Sequence, residues 1–300
     1  MKRDVLRIHD LTRDEAEAIL SLAGRLKTKL RAGRPHPLLV GRTLAMIFEK
    51  PSLRTRVTFE VGMGQLGGSA IHLAPGDIKL GERESPGDIA RNLERWVDLI
   101  MARVFSHQSV VDLARAARVP VINGLSDMHH PCQVLSDCFT LRERRGKLEG
   151  LRVVFVGDGN NMGHSWMDAA ALLGFDFVLA CPPGFEPNPA IVAEAGPRVS
   201  VTHDARAAVR GGDVVYTDVW TSMGQEAESQ TRRAAFAGYT VDARLVGLAD
   251  PRAIVLHCLP AHRGEEITEG VINGPHSAIF DEAENRMHAQ KALLEKLLIA

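Results

Sequence analysis

The residues best suited to chemistry lie in six short segments. Ser52-Leu53-Arg54-Thr55-Arg56 follows an apolar run, Leu44–Phe48, and opens a helical pattern. A helix N-terminus offers unpaired N–H groups and a positive dipole end, which suits an oxyanion. Two hydroxyls and two guanidiniums add donors and charge there. A capped helix with surface arginines has the same spacing. It is not a Walker loop, since G-x-x-x-x-G-K-[ST] is absent. His129-His130-Pro131-Cys132-Gln133 places His130 and Gln133 at (i, i+3), able to face one ligand or simply to start a helix. Gly157-Asp158-Gly159-Asn160-Asn161 sets two carboxamides after the strand-like run Arg152–Val156. A dinucleotide fingerprint would need glycine at Met162 and an acidic residue ending the next strand, where Cys181-Pro182-Pro183 stands, so a nicotinamide cofactor is disfavoured.

The remaining three segments are equally short. Asp218, four residues before Ser222-Met223-Gly224, offers a carboxylate to an ammonium group. His257-Cys258-Leu259-Pro260-Ala261-His262 puts a thiol between imidazoles. A cysteine nucleophile needs its base in reach, and adjacent strand residues point to opposite faces. A metal site lacks partners at confirming spacing. A binding loop at a strand end needs neither and ranks first. Arg286, in the charged stretch Asp281–His288, either returns to a site or belongs to a solvated helix face.

The elements that must position these groups alternate. Thr12 and Glu15 have capping-box spacing, and Ile19, Ala23, Leu26 and Leu30 follow at helical spacing, predicting a helix over 12–32. Leu44–Phe48, Ala70–Leu73, Leu99–Val104 and Pro120–Ile122 read as short buried strands. Segments around Arg56–Leu66, Pro86–Val97 and Ser109–Ala117 read as helices between them. After a longer helix, Cys132–Arg145, the rhythm restarts. Arg152–Val156, Phe177–Ala180, Val214–Thr217, Ala253–Leu256 and Ala278–Phe280 form a second strand set, Cys181–Pro189 a loop, and Glu282–Leu298 a closing helix. Strand–helix alternation predicts α/β architecture with parallel sheets flanked by helices, here in two domains.

Composition sets outer bounds. At 300 residues, 45% hydrophobic and 24% charged, the chain can build a core. With 36 basic and 37 acidic residues it lacks the basic footprint of a nucleic-acid binder. No run approaches the length of a membrane span. Four cysteines without a C-x-x-C pair fit a reducing cytoplasm better than a disulfide scaffold. Of the basic residues 28 are Arg and 8 Lys, a bias that reflects genome composition, oxyanion binding, or both.

Taken together, Ser-x-Arg-Thr-Arg, His-Pro-x-Gln, Asp-x-x-x-Ser-Met-Gly, His-Cys-Leu-Pro and Glu-Asn-Arg occur in the order found in the aspartate/ornithine carbamoyltransferase family. The chain resembles that family over essentially its full length, and the third and fourth motifs mark the ornithine branch. The resemblance implies two domains joined by two interdomain helices. Residues 1–131, completed by 282–300, would bind carbamoyl phosphate; 132–149 would be an interdomain helix; 150–281 would bind ornithine. It implies that Ser52, Leu53, Arg54, Thr55, Arg103, His130, Gln133, Cys258, Leu259 and Arg286 contact carbamoyl phosphate. Asn161, Asp218, Ser222 and Met223 would hold ornithine. Arg54, Arg103, His130, Asp218 and Cys258 would be the catalytic set. The neutral δ-amine would attack the carbamoyl carbon directly, giving citrulline and phosphate for arginine biosynthesis, with no cofactor or metal required. Many family members carry Gln where Lys79 stands, in a loop that reaches a neighbouring subunit's phosphate; Lys79 or Arg83 would take that contact. A homotrimer or an assembly of trimers is implied as well. Putrescine, N-acetylornithine or aspartate are alternative acceptors within the family. Asp218 argues against them, since a partner for an α-ammonium is useful only if the acceptor has one.

Overall fold

The computed structural model describes residues 2–221 and 226–299. The chain divides into two compact units: Met1–Phe139 with Glu284–Ala300, and Thr140–Ala283. In the first, helix α1 (Arg13–Arg31) is capped as its sequence predicts. Thr12 Oγ1 accepts the Glu15 N–H at 3.3 Å, and the Glu15 carboxylate accepts the Thr12 N–H at 2.8 Å. Strands β1 (Thr43–Phe48), β2 (Ser69–Leu73), β3 (Leu99–Arg103) and β4 (Val121–Leu125) alternate with α2 (Leu53–Gln65), α3 (Pro75–Ile78), α4 (Pro86–Leu93) and α5 (His107–Ala116). The strands are short apolar runs, and β1 and β3 are buried nearly throughout, as a sheet covered on both faces requires. They pair in parallel in the order β2-β1-β3-β4.

Helix α6 (Pro131–Arg145) carries the chain into the second unit. There β5 (Arg152–Val156), β6 (Asp176–Ala180), β7 (Val199–Thr202), β8 (Val214–Thr217) and β9 (Ile254–His257) form a parallel sheet in the order β7-β6-β5-β8-β9. Helices α7 (Asn161–Leu173), α8 (Pro189–Ala195), α9 (Ala205–Val209), α10 (Ser229–Ala235), α11 (Ala243–Val246) and α12 (Glu269–Ile272) connect them, and α13 (Ile279–Ile299) returns to the first unit. On one side of this sheet Trp166 stacks on Phe177, with ring centroids 6.2 Å apart, and meets Tyr216 edge-on at 5.3 Å. Two parallel α/β units are therefore the architecture that the strand–helix rhythm predicts.

Two elements differ from the sequence reading. Ala278–Phe280 is not a strand: Ser277 makes one bridge to Val255, Ile279 opens α13, and the Glu282 N–H already bonds to the Ala278 carbonyl at 2.9 Å. A three-residue apolar run cannot separate a period of 2 from one of 3.6. The fifth strand is instead β7, Val-Ser-Val-Thr, a half-exposed edge whose polar composition hides it.

Each sheet has one place where the chain order reverses. In the first it lies between β1 and β3, in the second between β5 and β8. Ligands of open α/β sheets bind beyond the carboxyl ends of the strands at such points.

Candidate functional site

In the first unit, β1 leads into Ser52, the N-cap of α2, whose hydroxyl accepts the Thr55 N–H at 3.2 Å. The first turn of α2 contains no acidic residue, so its positive end is uncompensated. The neighbouring strand β3 ends on Arg103, in register with Phe48 and only 8% exposed. Beside it, the Lys50 ammonium lies 4.4 Å from the centre of the Phe105 ring, and burial first, then the Arg103 charge, lowers its pKa.

Arg286 on α13 joins three segments of this unit. Its Nη2 donates to Thr55 Oγ1 at 2.8 Å and lies 3.3 Å from His130 Nε2, while Nη1 donates to Gln133 Oε1. All four side chains are buried. A guanidinium only donates, so His130 Nε2 carries the lone pair and the ring is neutral. The electrostatics agree. Burial, followed by the charges of Arg286, Arg103 and Arg54, holds His130 well below its ordinary pKa. Three guanidiniums from three elements thus act on one imidazole, and the expected set Ser52, Arg54, Thr55, Arg103, His130, Gln133 and Arg286 falls at or around the switch point of this sheet.

Asp137, one turn beyond Gln133 on α6, escaped the sequence reading. Its buried Oδ1 accepts from Gln133 Nε2 at 2.8 Å, turning the amide oxygen toward Arg286. The (i, i+4) spacing of Gln133 and Asp137 was the available signal. Leu53 is 75% exposed, and Arg56 pairs with Glu60 at 3.4 Å on the outer face of α2. Lys79 follows α3 with a left-handed φ of 44°, on an exposed turn whose Lys79 carbonyl accepts the N–H groups of Glu82 and Arg83.

In the second unit, the switch point lies between the ends of β5 and β8. Asn160 caps α7, with its Oδ1 accepting the N–H of Met162 at 2.9 Å and of Gly163 at 3.3 Å. Its Nδ2 donates to Asp218 Oδ2 at 3.3 Å. Asp218 Oδ1 accepts from the Val219 N–H at 2.8 Å and from Cys258 Sγ at 3.0 Å. Asn161, the first residue of α7, is half-buried beside this group. Gly159 serves the chain's own packing. A Cβ there would stand 2.2 Å from the Pro187 nitrogen, so this glycine is explained without a dinucleotide. Ser222 and Met223 lie outside the described residues.

The surroundings of Cys258 bear on the choice between a binding loop and a nucleophile. The adjacent His257 is fully buried and committed elsewhere: Nδ1 accepts the Leu259 N–H at 2.8 Å, and Nε2 donates to Glu266 Oε1 at 3.1 Å. It therefore has no lone pair with which to act as a base for the thiol. Leu259 holds a left-handed φ of 56°, and the Leu259–Pro260 peptide is cis. Of the two carboxamides noted in the sequence, Asn160 makes the contact to Asp218, and Arg232 is a further residue the sequence reading missed. Arg232 Nη1 donates to Asp158 at 2.8 Å and to the Trp220 carbonyl at 3.0 Å, and its guanidinium lies 5.1 Å from the Phe185 ring. Local spacing offers only its (i, i+4) pair with Glu228 at 3.0 Å, and does not mark the partners from three separate loops.

Two open parallel sheets, one with hydroxyls and guanidiniums at its switch point and the other with a carboxylate and carboxamides, make this a two-domain α/β protein of the class that binds ligands at strand ends. Comparison with known proteins makes this specific. Residues 3–143 match the carbamoyl-P binding domain of aspartate/ornithine carbamoyltransferase, and residues 149–297 match its Asp/Orn binding domain. The chain is 52% identical over 299 residues to the ornithine carbamoyltransferase of Thermococcus kodakarensis, covering 97% of this chain and 95% of that protein. The solved structure of ornithine carbamoyltransferase from Pyrococcus furiosus superposes with a TM-score of 0.95 at 51% identity, covering 99% of this chain and 97% of that one. That from Thermus thermophilus gives 0.91 at 46% identity, with 99% of each chain covered. The chain belongs to the aspartate/ornithine carbamoyltransferase family. The family resemblance carried by the motifs is borne out.

Proposed function

We propose that this protein transfers the carbamoyl group of carbamoyl phosphate to the δ-amine of L-ornithine, giving L-citrulline and phosphate. The observation that carries this reading is the pair of switch points, with oxyanion donors at one and amino-acid partners at the other. Ser52, Arg54, Thr55 and Arg103 bind the phosphate, with Leu53 at the same turn and Lys79 or Arg83 supplying charge from a neighbouring copy. His130, Gln133 and Arg286 take the carbamoyl end, and Cys258 and Leu259 complete its contacts. Asp218 pairs with the α-ammonium of ornithine, Asn161 takes the carboxylate, and Ser222 and Met223 belong to the same subsite. The names of the relatives, all ornithine carbamoyltransferases, support ornithine over aspartate.

The chemistry is electrostatic. As the amine attacks, negative charge grows on the carbonyl oxygen and on the leaving phosphate, and pre-placed guanidiniums stabilise both. His130, held neutral with its proton on Nδ1, adds a dipole without further charge. Fixing both substrates in attack geometry supplies much of the remaining acceleration. One relative, from Pyrococcus furiosus, is named as the anabolic enzyme and is 52% identical, which supports a place in arginine biosynthesis.

A homotrimer is part of the proposal. Leu53, Val57 and Val61 form an exposed apolar stripe along α2, and Ile71 is exposed on the edge strand β2. A second copy of the chain is the occupant proposed for that face. No helix among the described residues is long and apolar enough to cross a membrane. Its four cysteines are free, which supports a reducing compartment such as the cytoplasm. The test is product analysis. Citrulline and phosphate should form from carbamoyl phosphate and ornithine in equal amounts. Turnover with aspartate, putrescine or N-acetylornithine in preference to ornithine overturns the assignment.

A further inference from the structure

The edge of the second sheet opposite Asp218 carries a cleft of its own, about 660 Å³ in volume and wholly within the second unit. It lies at the amino end of β9, the strand whose carboxyl end leads into Cys258. Arg144 and Arg145 enter it from the last turn of α6, Arg252 from the turn before β9, and His276 from the turn before α13. Among the described residues that line it, none is acidic. Each guanidinium has one acidic partner outside the lining. Arg144 Nη2 donates to Asp281 Oδ2 at 2.6 Å, and Arg252 Nε to Asp250 Oδ1 at 3.3 Å. Arg145 is held more weakly. Its Nη2 donates to the Asp213 carbonyl at 3.1 Å, with the carboxylate Oδ1 at 3.5 Å, and the other oxygen of that carboxylate accepts the Arg152 N–H at 2.9 Å. Arg145 Nε is buried and has no hydrogen-bond partner among the described residues. A buried N–H without an acceptor is costly, and its position on this cleft points to an acceptor that the chain itself does not supply. His276 Nδ1 lies 2.9 Å from the Ala253 carbonyl, which only accepts, so Nδ1 carries the proton and Nε2 is left for a ligand.

We propose that this cleft is a second anion site, binding a phosphorylated small molecule apart from the substrates of the transfer. Its phosphate lies among Arg144, Arg145 and Arg252, whose planar forks match an oxyanion through paired N–H donors. Its organic part lies against Pro251 and Pro275, which add apolar wall. A guanidinium has five N–H donors, so each of the three keeps donors beyond those its acidic partner uses. The Arg144 and Arg252 side chains are exposed, so solvent screens their ion pairs and these give way to a dianion that several arginines share. The volume is that of a small-molecule site. This reading is independent of the transfer, because no residue of the cleft belongs to either proposed substrate subsite.

The test titrates the full chain with inorganic phosphate and with phenyl phosphate by calorimetry, in the wild type and in Arg54→Gln, which disables the proposed substrate phosphate site. One site per chain should survive in Arg54→Gln and bind phenyl phosphate several-fold more tightly than inorganic phosphate. Adding Arg252→Ala or Arg144→Gln should weaken that site about tenfold or more. Both substitutions fall at exposed positions, and circular dichroism confirms the fold. No site surviving in Arg54→Gln, binding unchanged by both added substitutions, or phenyl phosphate no tighter than inorganic phosphate overturns the proposal. Binding that ignores Arg54→Gln but is lost in Arg252→Ala supports the cleft and counts against the role given to Arg54.

Discussion

Replacing Arg286 by lysine keeps the positive charge and removes the planar fork. In the structure the fork serves Thr55 Oγ1, His130 Nε2 and Gln133 Oε1 from two nitrogens, all buried. An ammonium presents its protons around one atom on a differently shaped stem, so it reaches one of these acceptors well and leaves two. Each buried acceptor left unpaired costs about 1–3 kcal/mol, giving about 2–6 kcal/mol for the pair. For a unit of this size the low end corresponds to a fall in Tm of roughly 4 °C or more. If the fork also holds the carbamoyl end in place, kcat/KM for carbamoyl phosphate should drop about 100-fold, equivalent to about 2.7 kcal/mol of lost transition-state stabilisation. Thermal unfolding at matched protein concentration and initial rates of citrulline formation read the two effects separately. A lowered Tm with kcat/KM within about threefold of wild type would falsify the site assignment and leave Arg286 a structural residue. An unchanged Tm would refute the argument from unpaired acceptors.

Further outcomes follow from other contacts. His288 is buried, and desolvation first, then Lys291 and Lys27, lowers its pKa to about 4. The unfolded chain binds its proton at higher pH, so stability should be fully present above about pH 6.5 and be lost as pH falls toward 4. Urea midpoints across that window should flatten in His288→Gln, and an unaltered pH profile would contradict the assignment. Cys258→Ser retains a donor to Asp218, so it should raise the KM for ornithine while keeping a measurable kcat; complete inactivity with an intact fold would restore the nucleophile reading. Asn160→Ala removes the α7 cap and a donor to Asp218. A loss of about 1 kcal/mol in stability is expected, together with a higher ornithine KM, and an unchanged KM would show that Asn160 only caps the helix.

Much of the candidate site was legible because each piece is local. A hydroxyl and guanidinium segment after a strand, a His-Pro-x-Gln helix start and a carboxylate at a strand end are properties of consecutive residues, fixed by strand and helix periodicity. The same locality explains the errors. Ala278–Phe280 was too short to reveal its period, and β7 was too polar to look like a strand.

Assembly was not legible in this way. Arg286 reaches Thr55 across 231 residues, and Asn160 reaches Asp218 across 58. Within the charged stretch 281–288, Arg286 is distinguished from a solvated charge only by being folded against α2 and α6. Arg232 likewise acquires meaning from Asp158, 74 residues away. The amino-acid sequence by itself determined which groups were available and which elements would carry them, because those depend on propensity and spacing over a few residues. Only the tertiary structure decided which charges share one buried imidazole, which way the Gln133 amide points, and that His257 is committed away from Cys258. Burial, hydrogen-bond direction and electrostatic coupling depend on the three-dimensional surroundings, which local spacing does not encode.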